Sequence, residues 1–432
     1  MKISRMKELL AAQAKIQSWK HWRVLAQDLA RPSSQPERPN HLHLEAAIEW
    51  LVRAQDIRNG EPDAGGVSAG WTFADGWLPS YPETSGYIVE TWLAAARVLN
   101  RPTLRSRAQR ILDWELSIQC ADGAFPGHFG ESGSEPVIFN TGQIMHGLIA
   151  GHLEFGGSVS TSAGASTGVS APLSIQGSPA PSASPYLEAA HRAGRWMLEK
   201  QDPDGCWRRS THNNIPHTYN TRAAWALLRT GILTGDDALI EGARLALSWA
   251  EGQVTTSGWF RSNGFRSGDN PFTHTIAYAM RGFLEAGVLL GKEQYIEVAR
   301  VAANALVEAQ REDGFLAGEF GGGWRATNDY CCLTGLAQTA LVWRRLEQIS
   351  AEGRWSSAID RGLRFLKKNH ALSGTGGPED GSIAGSVPLW GRYSRFEYPN
   401  WATKFFADLL LMMVSDEVVP PVILPLPTST AD

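Results

Sequence analysis

The chain has 432 residues, 43% of them hydrophobic, with 17 tryptophans and a formal net charge of -4 at pH 7. That length and apolar fraction suffice for a large buried core. The absence of a dense Lys/Arg patch argues against a nucleic-acid partner, and no apolar run reaches the roughly 18 residues of a membrane-spanning helix.

Residues 1–44 read as a helical extension whose start, Met1 to Trp22, is charged every few positions and lacks the apolar core of a secretory signal, so a cytoplasmic protein is expected. From residue 45 to 416 a two-part unit recurs six times. A helix-like segment ends in a polar turn, and a second segment then opens with polar and aromatic residues before becoming apolar. The turns read Gln55 with Asp63-Ala64-Gly65-Gly66, Gln119-Cys120-Ala121-Asp122-Gly123, Gln201-Asp202-Pro203-Asp204-Gly205, Gln253 with Ser257-Gly258, Gln310-Arg311-Glu312-Asp313-Gly314, and the looser Asn369 with Asp380-Gly381. The second segments open near Thr84, Asn140, Thr218, Thr273, Asn328 and Asn400, at intervals of about 55 residues with two longer gaps, the signature of stacked helical hairpins. Pro, Thr, Asn and Asp at these openings satisfy or dispense with the orphan amides of a first turn.

The longer gaps have visible causes. The stretch 156–184 is almost wholly Gly, Ser, Ala, Thr and Pro and cannot bury enough apolar surface to order itself. The Gly-rich run from Ser373 to Tyr393 is too aromatic for a linker and reads as a lid or cavity wall. Residues 417–432 form a Pro-rich tail. The four cysteines make neither a paired metal motif nor a disulfide framework, so free thiols and no cofactor are expected.

Six hairpins with short connections close into an all-α (α/α)6 toroid. The second helix of each pair belongs inside, because Ile88 to Leu99, Ala223 to Leu233 and Leu333 to Trp343 are apolar around most of their circumference. Inner helices that share a direction bring their polar openings, and their positive dipole ends, to one end of the ring. Expected around that cavity are Glu83, Tyr87, Asn140, Gln143, His217, Tyr219, Asn220, Arg222, His274, Tyr278, Asn328, Asp329, Asn400, Trp401 and Lys404, with Trp390 and Tyr393 joining Trp401 as ligand-stacking aromatic residues and Lys404 as an anion contact.

The Gln-x-x-Asp-Gly turns with their apolar inner helices resemble the terpenoid-cyclase and protein-prenyltransferase toroid superfamily, and Asn328 to Leu336 is similar to an inner-helix segment of prenyltransferase β subunits. The Asp-x-Asp-Asp acid motif of type II cyclases does not occur, and Asp202 to Cys206 does not reproduce the prenyltransferase zinc spacing. The same resemblance extends to carbohydrate-active (α/α)6 enzymes. Amides, cations and aromatic rings at the expected rim suit a poly- or oligosaccharide better than a terpene.

Two chemistries are implied. The cluster from His212 to Arg222 resembles, loosely, the quartet of toroid polysaccharide lyases acting beside a uronic acid. On that analogy Asn214 or Asn220 binds the carboxylate, His217 or His274 is the base, Tyr219 is the acid, and Arg222 lowers the tyrosine pKa or binds the carboxylate. A C5-epimerase shares the proton abstraction. A glycoside hydrolase instead pairs two carboxylates, for which Glu83 and Asp329 are the natural candidates. Each residue has a plainer reading: Glu83 and Asp329 as helix-start residues, the histidines as hydrogen-bonded structural groups, and the Asp-Gly turns as repeat closures. A terpenoid or prenyl enzyme without the usual motifs, and a noncatalytic glycan-binding toroid, are the alternatives. The oligomeric state is open.

Overall fold

In a computed structural model, the described residues are 19–29, 38–128, 134–156, 184–350, 352–374 and 376–415. The expected insertion at 156–184, apart from its two end residues, and the tail at 417–432 lie outside them.

Helix α1 (Trp19–Leu29) precedes six hairpins. Their outer members are α2 (Asn40–Asp56), α4 (Pro102–Ile118), α6 (Pro185–Glu199), α8 (Asp237–Glu251), α10 (Glu293–Ala309) and α12 (Ser356–Lys368). Their inner members are α3 (Pro82–Val98), α5 (Ile138–Phe155), α7 (Thr221–Thr234), α9 (Thr273–Leu290), α11 (Leu333–Ser350) and α13 (Asn400–Val414). Each inner helix packs on the next, and α13 packs on both α2 and α3, which closes the ring. The protein is an (α/α)6 toroid. Its first outer helix starts at Asn40, ahead of the expected boundary at 45.

Local chemistry sets the ends of these helices. Proline opens α3, α4 and α6, where a missing amide costs nothing. Gly235 and Gly291 close α7 and α9 in the left-handed conformation. In the Asp-Gly turns, the carboxylates of Asp122, Asp204 and Asp313 accept the amides of Ala124, Cys206 and Phe315 at 3.1, 3.2 and 3.0 Å.

The preceding glutamine does more than end a helix. The Gln119 Nε2 donates to the Gly123 and Ala189 carbonyls, both at 2.9 Å. Gln201 donates to Gly205 and Gly242 at 3.0 and 2.9 Å. Gln55 bridges Gly65 and Arg107, and Gln310 reaches Ala358. Each side chain thus fastens its own hairpin to the next outer helix.

Inside the ring, glycines permit close approach. A Cβ at Gly147 of α5 would overlap the Gly86 carbonyl of α3, and one at Gly282 of α9 would overlap the Thr221 backbone of α7. The axis below the cavity is charged: Arg229 pairs with Glu90 at 3.1 Å, Arg281 and Arg345 pair with Glu285 at 2.8 and 3.1 Å, and Lys404 pairs with Asp408 at 2.5 Å.

Short strands dress the end where inner helices begin. β1 (Gly70–Thr72) lies between β2 (Gly76–Trp77) and β7 (Glu397–Pro399), β3 (Phe320–Gly321) pairs with β4 (Arg325–Ala326), and β5 (Cys331–Cys332) pairs with β6 (Ser386–Val387). The β5–β6 and β1–β7 pairings pin the run after Ser373 as a wall. They also displace the fifth inner helix, which starts at Leu333 rather than near Asn328.

Candidate active site

At that end a cavity of about 720 Å³ opens between the inner-helix starts and their loops. Glu83, Asn140, Tyr219, His274 and Trp401 reach it from the first turns of α3, α5, α9 and α13 and from the turn before α7. Tyr87 and Tyr278 line it one turn deeper, and Tyr393 comes from the wall. Aromatic packing is dense: Phe139 meets Tyr219 at 5.2 Å and Tyr278 at 4.8 Å, and the Trp401 indole donates to the Tyr393 hydroxyl at 2.8 Å.

Glu83 is the acid of this space. Its Oε2 accepts the Tyr81 hydroxyl at 2.7 Å, and the Asn140 amide donates to the same hydroxyl oxygen at 3.3 Å. Burial raises the Glu83 pKa to about 7, against the opposing pull of the Tyr81 hydrogen bond and the Arg222 charge. A half-buried carboxyl that holds its proton near neutrality is a competent general acid. Glu397 is a second carboxylate on the lining.

His274 is neutral, its pKa brought down to about 4 chiefly by burial. Its Nδ1 lies 2.8 Å from Gln338 Oε1, which selects the Nδ1–H tautomer and leaves the lone pair on Nε2. The tyrosines are held protonated: burial pushes Tyr81, Tyr87, Tyr219, Tyr278 and Tyr393 above the ordinary phenol range. The expectation that Arg222 lowers the Tyr219 pKa is therefore corrected. Arg222 is buried beneath the cavity, bonded through Nε to Gln143 Oε1 at 2.6 Å and spread against the Tyr278 ring.

Several other expected rim residues also lie elsewhere. Neither Asp329 nor Asn328 is on the lining, because the displaced start of α11 leaves both in a loop; Asp329 is exposed, and Asn328 accepts the Gly318 and Tyr330 amides at 3.2 Å. The pairing of Glu83 with Asp329 is therefore replaced by Glu83 with Glu397 as the carboxylates of the cavity. His217 is buried with Nε2 2.7 Å from the His212 carbonyl and Nδ1 3.1 Å from that of Gly264, so neither nitrogen serves as a cavity base. Asn214 is exposed in a turn with φ of 50°. Gln143 and Asn220 are buried off the lining. Asn400 is buried and donates to the Ser68 carbonyl and Thr84 hydroxyl at 2.8 and 2.9 Å. Lys404 is committed to Asp408, and Trp390 packs against the core.

The lining also includes Tyr81, His128, His212, Phe265, Phe272, Arg392 and Arg395, all from loops without periodicity. Tyr81 and Arg392 had a signal, each lying in an aromatic- and Gly/Pro-rich run beside an inner-helix start. Arg392 donates to Glu319 at 3.1 Å, and the Tyr330 hydroxyl holds the other oxygen of that carboxylate at 2.5 Å. Among the described residues no group of three or more His, Cys, Asp or Glu is placed to hold a metal ion, and no helix is long and apolar enough to cross a membrane.

No protein-family model matches the sequence, and no curated protein matches it either. Solved structures do match in fold. An unsaturated glucuronyl hydrolase of Bacillus sp. GL1, described as responsible for the degradation of glycosaminoglycan, superposes with a TM-score of 0.61 at 14% identity, covering 86% of this chain and 96% of its own. A mutant unsaturated glucuronyl hydrolase of Streptococcus agalactiae complexed with dGlcA-GalNAc6S gives 0.62 at 12% identity, covering 89% and 95%. One specific for heparin gives 0.63 at 12%, covering 87% and 97%. At these identities the likeness is one of fold: this chain has the α/α toroid architecture of those enzymes.

Proposed function

We propose that the protein is a glycoside hydrolase that removes an unsaturated uronyl sugar from the end of a short acidic oligosaccharide. The observation that carries this reading is Glu83, a carboxyl that keeps its proton to about pH 7 inside an aromatic cavity. An unsaturated uronyl sugar is an enol ether, and its hydrolysis needs one acid. A proton from Glu83 goes to the ring double bond, water adds to the resulting oxocarbenium ion, and the hemiketal opens. The former glycosidic carbon is then a hemiacetal that releases the rest of the oligosaccharide. Tyr81 and Asn140 position the acid, and Arg395 supplies positive charge for the sugar carboxylate. The fold neighbours named for this activity agree with the reading.

Glu397 supports a second reading, a two-carboxylate hydrolase acting on saturated glycosides. The lyase and C5-epimerase readings rest on His274 alone as base, since the tyrosines hold their protons tightly. A cytoplasmic setting would fit action on oligosaccharides rather than on polymer.

Incubation with dGlcA-GalNAc6S tests the proposal. Loss of the ultraviolet absorbance of the conjugated double bond, with release of the second sugar, is the expected result, and Glu83→Gln should abolish it. Cleavage of saturated glycosides alone would favour the second reading, and new unsaturated ends or C5 deuterium exchange would overturn both.

A further inference from the structure

Gln338 is the one amide in the apolar stretch from Leu333 to Trp343 of α11, and it is 5% exposed. A buried amide is costly unless its ends are bonded. Gly335, one turn earlier, lets α11 approach α9, because a Cβ there would overlap the His274 backbone nitrogen. Gln338 thereby reaches the His274 side chain. The imidazole Nδ1 donates to Gln338 Oε1 at 2.8 Å, and the amide nitrogen donates toward the Tyr278 hydroxyl oxygen. With its proton on Nδ1, the ring carries its lone pair on Nε2.

That lone pair is open to the main cavity. His274 lines the space, and its Nε2 meets no protein partner among the described residues, yet it is not one of the polar atoms sealed in the core. Tyr278 and Tyr393 hold the ring, with centroids 4.4 and 5.1 Å away. The other titratable groups around it are the Cys332 thiol ahead of α11 and the Arg222 guanidinium of α7, which works with burial to keep the imidazole uncharged. A continuous line of contacts leads from His274 to the acid: Tyr393 accepts the Trp401 indole at 2.8 Å, Trp401 meets Tyr81 at 6.2 Å, and Tyr81 donates to Glu83 at 2.7 Å. Arg395 and the protonated phenols of Tyr278 and Tyr393 offer donors to a ligand. A sugar hydroxyl both donates and accepts, so it also needs an acceptor, and an open imidazole lone pair is one.

We infer that His274 is a ligand-binding residue that accepts a hydrogen bond from a hydroxyl of the terminal sugar, and that Gln338 is the positioning residue that keeps it an acceptor. The inference rests on the reading of the main cavity as a hydrolase site. It makes the cavity select for a sugar that presents a free hydroxyl to Nε2, and Glu83 remains the acid.

Two measurements test it. The first is nitrogen NMR of isotope-labelled histidines in Glu83→Gln protein, which should bind without turnover, with the His274 signals assigned by His274→Gln. The free protein should show the Nδ1–H tautomer, and saturation with dGlcA-GalNAc6S should shift Nε2. The second is the pH profile of hydrolysis by Gln338→Glu, which keeps the shape of the side chain and sets a carboxylate against Nδ1–H. The imidazole pKa should rise from about 4 by more than about one unit, so kcat/KM should fall on the acid side, between about pH 6 and 5, where the wild type stays level. A merely structural glutamine would leave that limb unmoved. An Nε2–H tautomer, an Nε2 signal indifferent to bound disaccharide, or an unchanged profile in Gln338→Glu would overturn the role of His274 and leave the hydrolase reading standing. Binding without hydrolysis by the wild type would overturn the hydrolase reading, with the Nε2 shift still deciding the contact. Failure of the disaccharide to bind would overturn both.

Discussion

On the proposed hydrolase reading, Glu83 ties activity and stability to the same proton. As a general acid it must be protonated, so kcat/KM for the unsaturated disaccharide should be level below pH 7 and fall above it, tracking the pKa of about 7. Because the Tyr81 hydroxyl stabilises the ionised carboxyl, Tyr81→Phe should move that fall to higher pH, as a pH profile would show. The folded protein holds a proton that an ordinary carboxyl releases near 4.5. Stability should therefore decline between pH 4.5 and about 7 and be level beyond. At about 1.4 kcal/mol per pKa unit, Glu83→Gln should recover up to about 3 kcal/mol at pH 8 and almost nothing at pH 4, measured by urea unfolding. Glu83, Tyr219 and His274 were legible as cavity residues because they stand at or just before inner-helix starts. Asp329 was misplaced for the converse reason: strand pairing of Cys331–Cys332 with Ser386–Val387 postpones the start of its helix, and that pairing joins segments far apart in the chain. His217 looked like a base by composition, but two backbone carbonyls decide its role.

At the scale of the helix, the turn motif was legible as punctuation and its glutamine was not legible as a fastener. The motif sets where a hairpin ends, whereas the partner carbonyl belongs to the next outer helix, as Gly242 does for Gln201. Gln201→Met keeps the side-chain volume and removes both hydrogen bonds of the amide, so it should destabilise the protein by about 1–2 kcal/mol in chemical unfolding. Inner-helix glycines gave no such signal, since a glycine in an apolar helix reads only as a weak point. Gly147 is where α5 touches the Gly86 carbonyl, and Gly147→Ala should cost about 1–3 kcal/mol by overpacking, although alanine is the better helix former. The apolar circumference of segments such as Leu333 to Trp343 did reveal which helices lie inside, because burial on all sides leaves no polar face to preserve.

For the whole molecule, the count of hairpins came from the sequence period, and closure came from the packing of α13 on α2 and α3. That seam brings the two ends of the toroid together. A permuted chain that joins Val414 to Asn40 through a short linker and opens between Phe155 and Pro185 omits α1 but keeps every neighbour among the twelve hairpin helices. It should fold with the same circular dichroism spectrum and keep its activity.

The closed seam also changes what growth by duplication can do. A linear stack of helical hairpins exposes an apolar face at each end, needs capping units, and accepts another copy wherever the stack stops. Here every hairpin already has a neighbour on both sides, so a seventh would find no edge to join and would have to widen the circle. The inner helices already touch backbone to backbone at their glycines, and a wider circle would pull those contacts apart and open a hole down the charged axis. Six is thus a number fixed by curvature, and room for change is left in the loops above the ring, which line the cavity.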